Sequence, residues 1–384
     1  MLKPFRAFRA ERNKAHLVPS RSVELYSTEQ LNDKLRNNPY SFLQVIRPET
    51  DTSLTNQERF QLIRSRLNQF IDNGIFKSDK VPCYFLYEQK SGDRIYSGII
   101  GLLDVNEAQV HLHEKTIEVR EKLFAEYLES TGFQAEPILV FGASDSKRTE
   151  LMDKVKSTEP IFDFFTANEI GHKLWAISGE LKNKLEEVFS QSNDFFLADG
   201  HHRFGSTRRV AQNLKNSEEA QMILTMFMDE KEIGIDSFER WVNLSNMDFS
   251  KDQLYDNFDV DEKAGSFDKV EGDLEMFFEG RWFILTSNQG INRDLPPEYL
   301  MNEILDPLLG IKDAKKDERI SYVHQKDRDQ SNEMLAKGLE LGFRLPPVSI
   351  EILKKTALAG GSMPPKSTYI EPKLRSGMML HVFK

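Results

Sequence analysis

The run Phe195-Phe196-Leu197-Ala198-Asp199-Gly200-His201-His202-Arg203 carries the most chemically loaded spacing in this sequence. Its four apolar residues read as a strand that ends on an acid, a glycine, two histidines and an arginine, with a helix rising from about Phe204. Such a junction aims unpaired backbone N–H groups at the crevice beyond the strand's carboxyl end, where a helix N-terminus attracts anions. Arg203 adds a forked, charged donor. His201 and His202 can donate to phosphate oxygens or carry a proton near neutral pH. Asp199 can hold a metal, accept a hydrogen bond from a ribose, or orient one histidine. A helix cap and a core histidine would explain part of this string. Adjacent histidines flanked by an acid and an arginine, however, are costly to bury for packing alone.

Two further segments hold candidates. His111-Leu112-His113-Glu114-Lys115-Thr116 stands at the start of a helix, and in a strand His111 and His113 would share a face. Glu114 has the chemistry of a general base or a metal ligand, but the spacing is not that of the zinc proteases. A solvated helix start, with Thr116 as cap and Glu118 in the first turn, explains the segment equally. Near the C-terminus, MPPKSTYIEPKLRSG gathers Lys366, Lys373 and Arg375 between proline breaks and a final strand in an otherwise acidic chain. Ser367, Thr368 and backbone amides can join these cations around phosphate or carboxylate, and a charged surface loop is the competing explanation. Asp163, His172 and Trp175 give weaker hints, with His172 reading as a core histidine on an apolar strand. The Trp282 segment reads as core. Arg47 and Glu49 could line a site or form a surface turn.

The elements that must position these residues point to a mixed α/β (α+β) fold, with mixed sheets and packed helices. A capping box at Ser27 and Gln30 opens a short helix, Tyr40–Ile46 reads as a buried strand, and a long amphipathic helix carries Phe60, Ile63, Leu67, Phe70 and Ile71 up to Gly74. VPCYFLYEQ and RIYSGIIGLLDV form a hairpin around Ser91-Gly92-Asp93. A helix from about Thr116 to Ser130 precedes strands at Pro137–Ala143, IFDFF, KLWAI, Phe195–Ala198 and Met222–Asp229. A strand at RWFILTS is followed by a helix in EYLMNEILDPLLG. The expected regions are 1–135, 136–250 with the Asp-Gly-His-His-Arg string, and 251–384 with the MPPKST loop.

Composition narrows the function classes. The 384 residues include 61 Asp+Glu against 51 Lys+Arg, a net charge of −10 that argues against non-specific nucleic-acid binding. No apolar run approaches the ~20 residues of a membrane span. The basic N-terminal stretch has no apolar core, so no secretory signal is expected. The single cysteine, Cys83, excludes an intrachain disulfide and fits a reducing cytoplasm.

PFRAFRA at the start, NPYSFLQVIRPE (Asn38–Glu49), HEKT, ADGHHR and MPPKSTYIEPKLRSG together resemble the uncharacterised domain-of-unknown-function family 1015 over nearly the whole chain. The sequence departs from the family's Pro-Tyr-Asp turn at Pro19-Ser20-Arg21, has Gln44 where histidine is common, and has Ile117 where arginine often follows the HExT segment. The Asp-Gly-His-His-Arg string is similar to one in archaeal free-serine kinases of the ParB/sulfiredoxin-like fold. That likeness implies a ParB/sulfiredoxin-like core around the junction, with Asp199, Gly200, His201, His202 and Arg203 on nucleotide phosphates. The expected activity is a nucleotide-dependent kinase of a small hydroxylated metabolite, free L-serine first, using ATP or ADP with Mg²⁺. In that scheme Lys366, Ser367 and Thr368 also bind phosphate, and His113, Lys373 and Arg375 hold the substrate. Glu114 is the base, with His202 and Asp199 as its catalytic partners. The competing expectations are a ParB-like nucleotide-binding regulator or NTPase without a small acceptor, and a metal-dependent hydrolase built on Asp199, His201, His202, His113 and Glu114.

Overall fold

The computed structural model describes all residues except 48–53, 108, 192–193, 245–248, 265–268, 289–294 and 326. The expectation for Glu49 therefore lies outside the described residues. Contacts divide the chain into two units, residues 1–233 with 372–384, and residues 234–371. This differs from the three regions expected from sequence because strand pairing crosses both expected boundaries. Met222–Asp229 pairs with Arg94–Asp104 across 135, and Phe238–Val242 pairs with Leu341–Arg344 across 250.

The first unit contains helices α1 (Thr28–Asn37), α2 (Leu43–Ile46), α3 (Asn56–Asp72), α4 (Glu118–Thr131), α5 (Ser146–Lys156), α6 (Gly179–Ser190) and α7 (His201–Asn213). Its strands are β1 (Leu2–Lys3), β2 (Phe8–Ala10), β3 (Phe76–Ser78), β4 (Tyr84–Ser91), β5 (Arg94–Asp104), β6 (Val110–His111), β7 (Phe133–Gln134), β8 (Ile138–Gly142), β9 (Phe162–Phe165), β10 (Gly171–Ile177), β11 (Phe195–Asp199) and β12 (Met222–Asp229). A mixed sheet runs β6-β11-β8-β12-β5-β4-β10-β9, with β1 paired to β5. β11 is parallel to β6 and antiparallel to β8, with a bulge between Leu197 and Asp199. The inner strands read as unbroken apolar runs because both their faces are covered. One face, with Leu86, Ile99, Val140 and Leu197, packs on Leu151 and Val155 of α5 and Leu185 and Phe189 of α6.

A smaller sheet orders β3-β2, the terminal strand Met379–Val382, and β7. It shares a core with Phe42, Phe60, Ile63, Leu67 and Phe70, so the predicted face of α3 is the buried one, although Ile71 is only partly covered. Tyr40–Ile46 corrects the sequence expectation: it forms a turn and the single-turn helix α2, not a strand. Asn38 accepts from the Tyr40 backbone at 3.1 Å and Ser41 Oγ from Leu43 at 3.3 Å, which curls the chain. Burial of Phe42, Leu43 and Val45 in that curl mimics the apolar run of a strand.

The second unit holds β13 (Gly234–Asp236), β14 (Phe238–Val242), β15 (Phe258–Glu262), β16 (Leu274–Phe278), β17 (Arg281–Ser287), β18 (Ile320–His324), β19 (Leu341–Arg344) and β20 (Tyr369–Glu371). β13 pairs with β20, and the others form a sheet ordered β15-β17-β16-β19-β14-β18. The helix expected in EYLMNEILDPLLG is present in three short pieces between Pro296 and Leu309, and it packs Leu300, Ile304 and Leu305 on that sheet. Within this unit, Glu275 Oε2 accepts from Arg344 at 2.8 Å and its Oε1 accepts from Lys263, all three side chains being buried.

Candidate functional site

The strand–helix junction forms where the sequence places it, with one difference: α7 begins at His201, not near Phe204. Gly200 is the N-cap at φ +102°, a conformation costly for any residue with a Cβ. A Cβ there would also lie 2.6 Å from the Ile138 side chain. With no side chain to offer, Gly200 leaves the first amides of this 13-residue helix uncapped, and no acid stands in the first turn. His201, His202 and Arg203 thus occupy the first turn itself. Further along α7, Gly205 admits the Glu121 side chain, which Thr116 and Arg209 hold from either side, with Arg209 at 2.9 Å.

His113 comes to this junction and packs edge-on against His201, ring centroids 4.5 Å apart. Both are buried. Burial pushes His113 down to about 4, against the opposing pull of a hydrogen bond to the Leu197 backbone. Burial, and then the neighbouring His113, push His201 down to about 3. Both rings are therefore neutral at physiological pH, each with one donor and one acceptor nitrogen. His113 Nδ1 and His201 Nε2 have no hydrogen-bond partner among the described residues. Glu114 stands half exposed with Oε2 3.7 Å from His201 Nδ1.

Asp199 is the anionic member. Burial alone would raise its carboxyl, but the charges of Lys373 and Arg203 outweigh it and hold the group down at about 2. Lys373 Nζ lies 3.3 Å from Oδ1, and Arg203 donates to Oδ2 at 2.6 Å. The other arm of Arg203 donates to Glu136 Oε1 at 2.6 Å and to the Pro137 carbonyl at 2.8 Å. Ser376 Oγ completes the chain by donating to Glu136 Oε2 at 2.7 Å. Arg203 is thus a strut between two carboxylates. Glu136 was invisible to sequence reasoning; its only signal is an acid immediately before the Pro137 that opens a buried strand.

The remaining candidates have contacts of their own. His111 stacks on Phe196 and lies 3.0 Å from Asp194, at the far end of β11 from Asp199. Arg375 belongs to the first unit and donates to Asn168 at 3.3 Å. Lys366, Ser367 and Thr368 belong to the second unit. Lys366 has φ +55° and lies 5.0 Å from the Phe238 ring centroid, while Ser367 Oγ donates to the Pro364 carbonyl at 2.7 Å. His172 is buried, with Nδ1 2.7 Å from the Tyr87 hydroxyl. Asp163 pairs with Lys173 at 3.2 Å, and Trp175 donates to Thr158.

No group of three or more His, Cys, Asp or Glu is placed to hold a metal among the described residues. No helix among them is long and apolar enough to cross a membrane. A cavity of about 140 Å³ in the first unit is lined in part by Ser97, Arg148, Lys156 and Asp229, and both of its cations are ion-paired, Arg148 with Asp229 and Lys156 with Glu88.

Residues 2–309 match the model of the family described as protein of unknown function (DUF1015), and the chain belongs to that family. No curated protein matches it. Among solved structures, a free serine kinase mutant in complex with ADP is similar at 12% identity and a TM-score of 0.36, over 72% of this chain and 88% of that one. A C-terminally truncated SbnI from Staphylococcus aureus gives 12% identity and 0.37, over 71% and 82%. A conserved hypothetical protein from Pyrococcus furiosus gives 14% and 0.34, over 71% and 90%.

Proposed function

We propose that this protein is a nucleotide-dependent kinase that transfers a phosphoryl group to a small hydroxylated metabolite, free L-serine first. The observation that carries this reading is the uncapped, acid-free N-terminus of α7 behind Gly200, a ready seat for a phosphate chain. Neutral His201 beside it can present a ring N–H to phosphate oxygen without bringing a like charge against Lys373 or Arg203, while His113 spends its one N–H on the Leu197 backbone. The likeness of the Asp199–Arg203 string to that of free-serine kinases supports serine as the acceptor and a ParB/sulfiredoxin-like core around the junction.

In this scheme the first-turn amides of α7 and the ring of His201 or His202 bind phosphate, and Arg203 fixes Asp199 in place. Lys373 sits where it can shift from Asp199 to a transferring phosphoryl oxygen. Glu114 takes the proton from the acceptor hydroxyl, whose oxygen attacks the terminal phosphorus while the nucleotide leaves. Mg²⁺, held chiefly by phosphate oxygens and waters, would neutralise the phosphates. Lys366, Ser367 and Thr368 remain candidates for further phosphate contacts.

The test is mass spectrometry of L-serine and related hydroxy-metabolites incubated with ATP or ADP, Mg²⁺ and the protein. A phosphoserine signal that falls at least a hundredfold with Glu114→Gln supports the reading. Nucleotide consumed with no phosphorylated acceptor would favour a regulator or NTPase, and a nucleotide that does not bind would remove the phosphate seat.

A further inference from the structure

Two arginines near this junction, Arg21 and Arg375, flank one isolated backbone bridge. Ser20 and Ser376 form an isolated antiparallel bridge, exchanging both backbone hydrogen bonds at 3.0 Å. Arg21 and Arg375 flank that bridge, one on each segment, close enough for the Arg21 charge to act on Arg375. Like charges at that range repel one another. Yet neither guanidinium forms an ion pair among the described residues, in a chain with 61 acidic residues against 51 basic ones. Arg21 lies over the Tyr26 ring, 4.6 Å from its centroid, and its backbone N–H donates to the Tyr26 hydroxyl at 3.0 Å. Arg375 donates to the neutral amide oxygen of Asn168. The hydroxyl of Ser20, the residue before Arg21, is buried without a hydrogen-bond partner among the described residues. Burial first, and then the Arg21 charge, lower Arg375 from its ordinary value, offset by Tyr26 and Tyr87.

We propose that Arg21 and Arg375 form a carboxylate site that holds the acid end of the small acceptor. Two guanidinium forks can take the two oxygens of one carboxylate and cancel their mutual repulsion. The site connects to the junction: Ser376 of the bridge bonds Glu136, which Arg203 also bonds. Arg375 is two residues beyond Lys373, so their Cα atoms are at most about 7 Å apart. This assignment rests on the kinase reading for what the bound acceptor does next.

Calorimetric titration of the full chain with L-serine, with its neutral amide L-serinamide and with inorganic phosphate, alongside ADP, separates the possibilities. We expect L-serine to bind at least tenfold more weakly to Arg375→Gln and to Arg21→Gln, with ADP affinity within twofold of the unaltered protein. L-serinamide should not distinguish the variants from that protein. Both substitutions remove a repulsion, so the unliganded variants should melt no lower, which guards against loss by misfolding. Equal L-serine affinity in all three proteins overturns the site. So does loss of inorganic phosphate binding alone in the variants, since it would assign the forks to a phosphate. If L-serine binding depends on both arginines but no phosphoserine forms, the carboxylate site stands and the kinase reading falls.

Discussion

Arg203 and the two buried histidines make opposite demands on pH and mutation. Removing Arg203 leaves Asp199 with Lys373 alone and Glu136 with only Ser376, so two carboxylates lose their strut. Arg203→Ala should weaken ADP binding at least tenfold and lower the melting temperature, read by calorimetry and thermal unfolding. Conversion to lysine should not restore it, because one ammonium cannot span both acids. Asp199, held at about 2 against an ordinary 3.8, contributes stability that is full above pH ~4 and is lost as pH falls toward 2. His113 and His201 act earlier. Their folded values, about 4 and about 3, lie below the ordinary 6.5, so the unfolded chain takes up protons first on acidification. Stability should therefore decline from pH ~6.5 downward, by at most about 1.4 kcal/mol per pH unit for each histidine. In denaturant titrations across that window, His113→Gln should show a shallower decline than the unaltered protein.

At the scale of elements, Gly200 joins strand to helix. Gly200→Ala places a Cβ at a left-handed φ and against Ile138, and should destabilise the protein by about 1–3 kcal/mol while abolishing nucleotide binding. Chemical denaturation and ADP titration check the two effects separately. This junction was legible in the sequence because its whole signal lies within nine consecutive residues. The hairpin around Gly92 and the face of α3 were legible for the same reason, as periodicity and turn chemistry are local. Arg21 and Glu136 were not, because each gains its meaning from a partner far along the chain, Arg375 and Arg203, and neither stands out by type or spacing. α2 was misread because burial of a tight turn and burial of a strand produce the same apolar letters.

At the scale of the molecule, the second unit carries its own hazard. Glu275 serves Lys263 and Arg344 together in the interior of a sheet. Glu275→Ala removes the partner that Lys263 and Arg344 share, leaving Lys263 to Glu271 and Arg344 to Glu239, and should cost about 3 kcal/mol, enough to melt that unit before the first. Differential scanning calorimetry should then show two separated transitions, and limited proteolysis should release fragments cut between residues 234 and 371 while the first unit stays protected.

The interruption of the first unit by the second also has a consequence for synthesis. Lys373, Arg375, Ser376 and the strand Met379–Val382 leave the ribosome only after residues 234–371, a delay on the order of ten seconds at ordinary translation rates. During that interval the small sheet lacks an inner strand, and β2 and β7 each present an unpaired edge to other chains. The nascent protein thus passes through a sticky stage with Asp199 and Arg203 already made but Lys373 still missing. Chaperone demand should fall on that stage, and the anion site should become competent only when the returning strand closes the sheet.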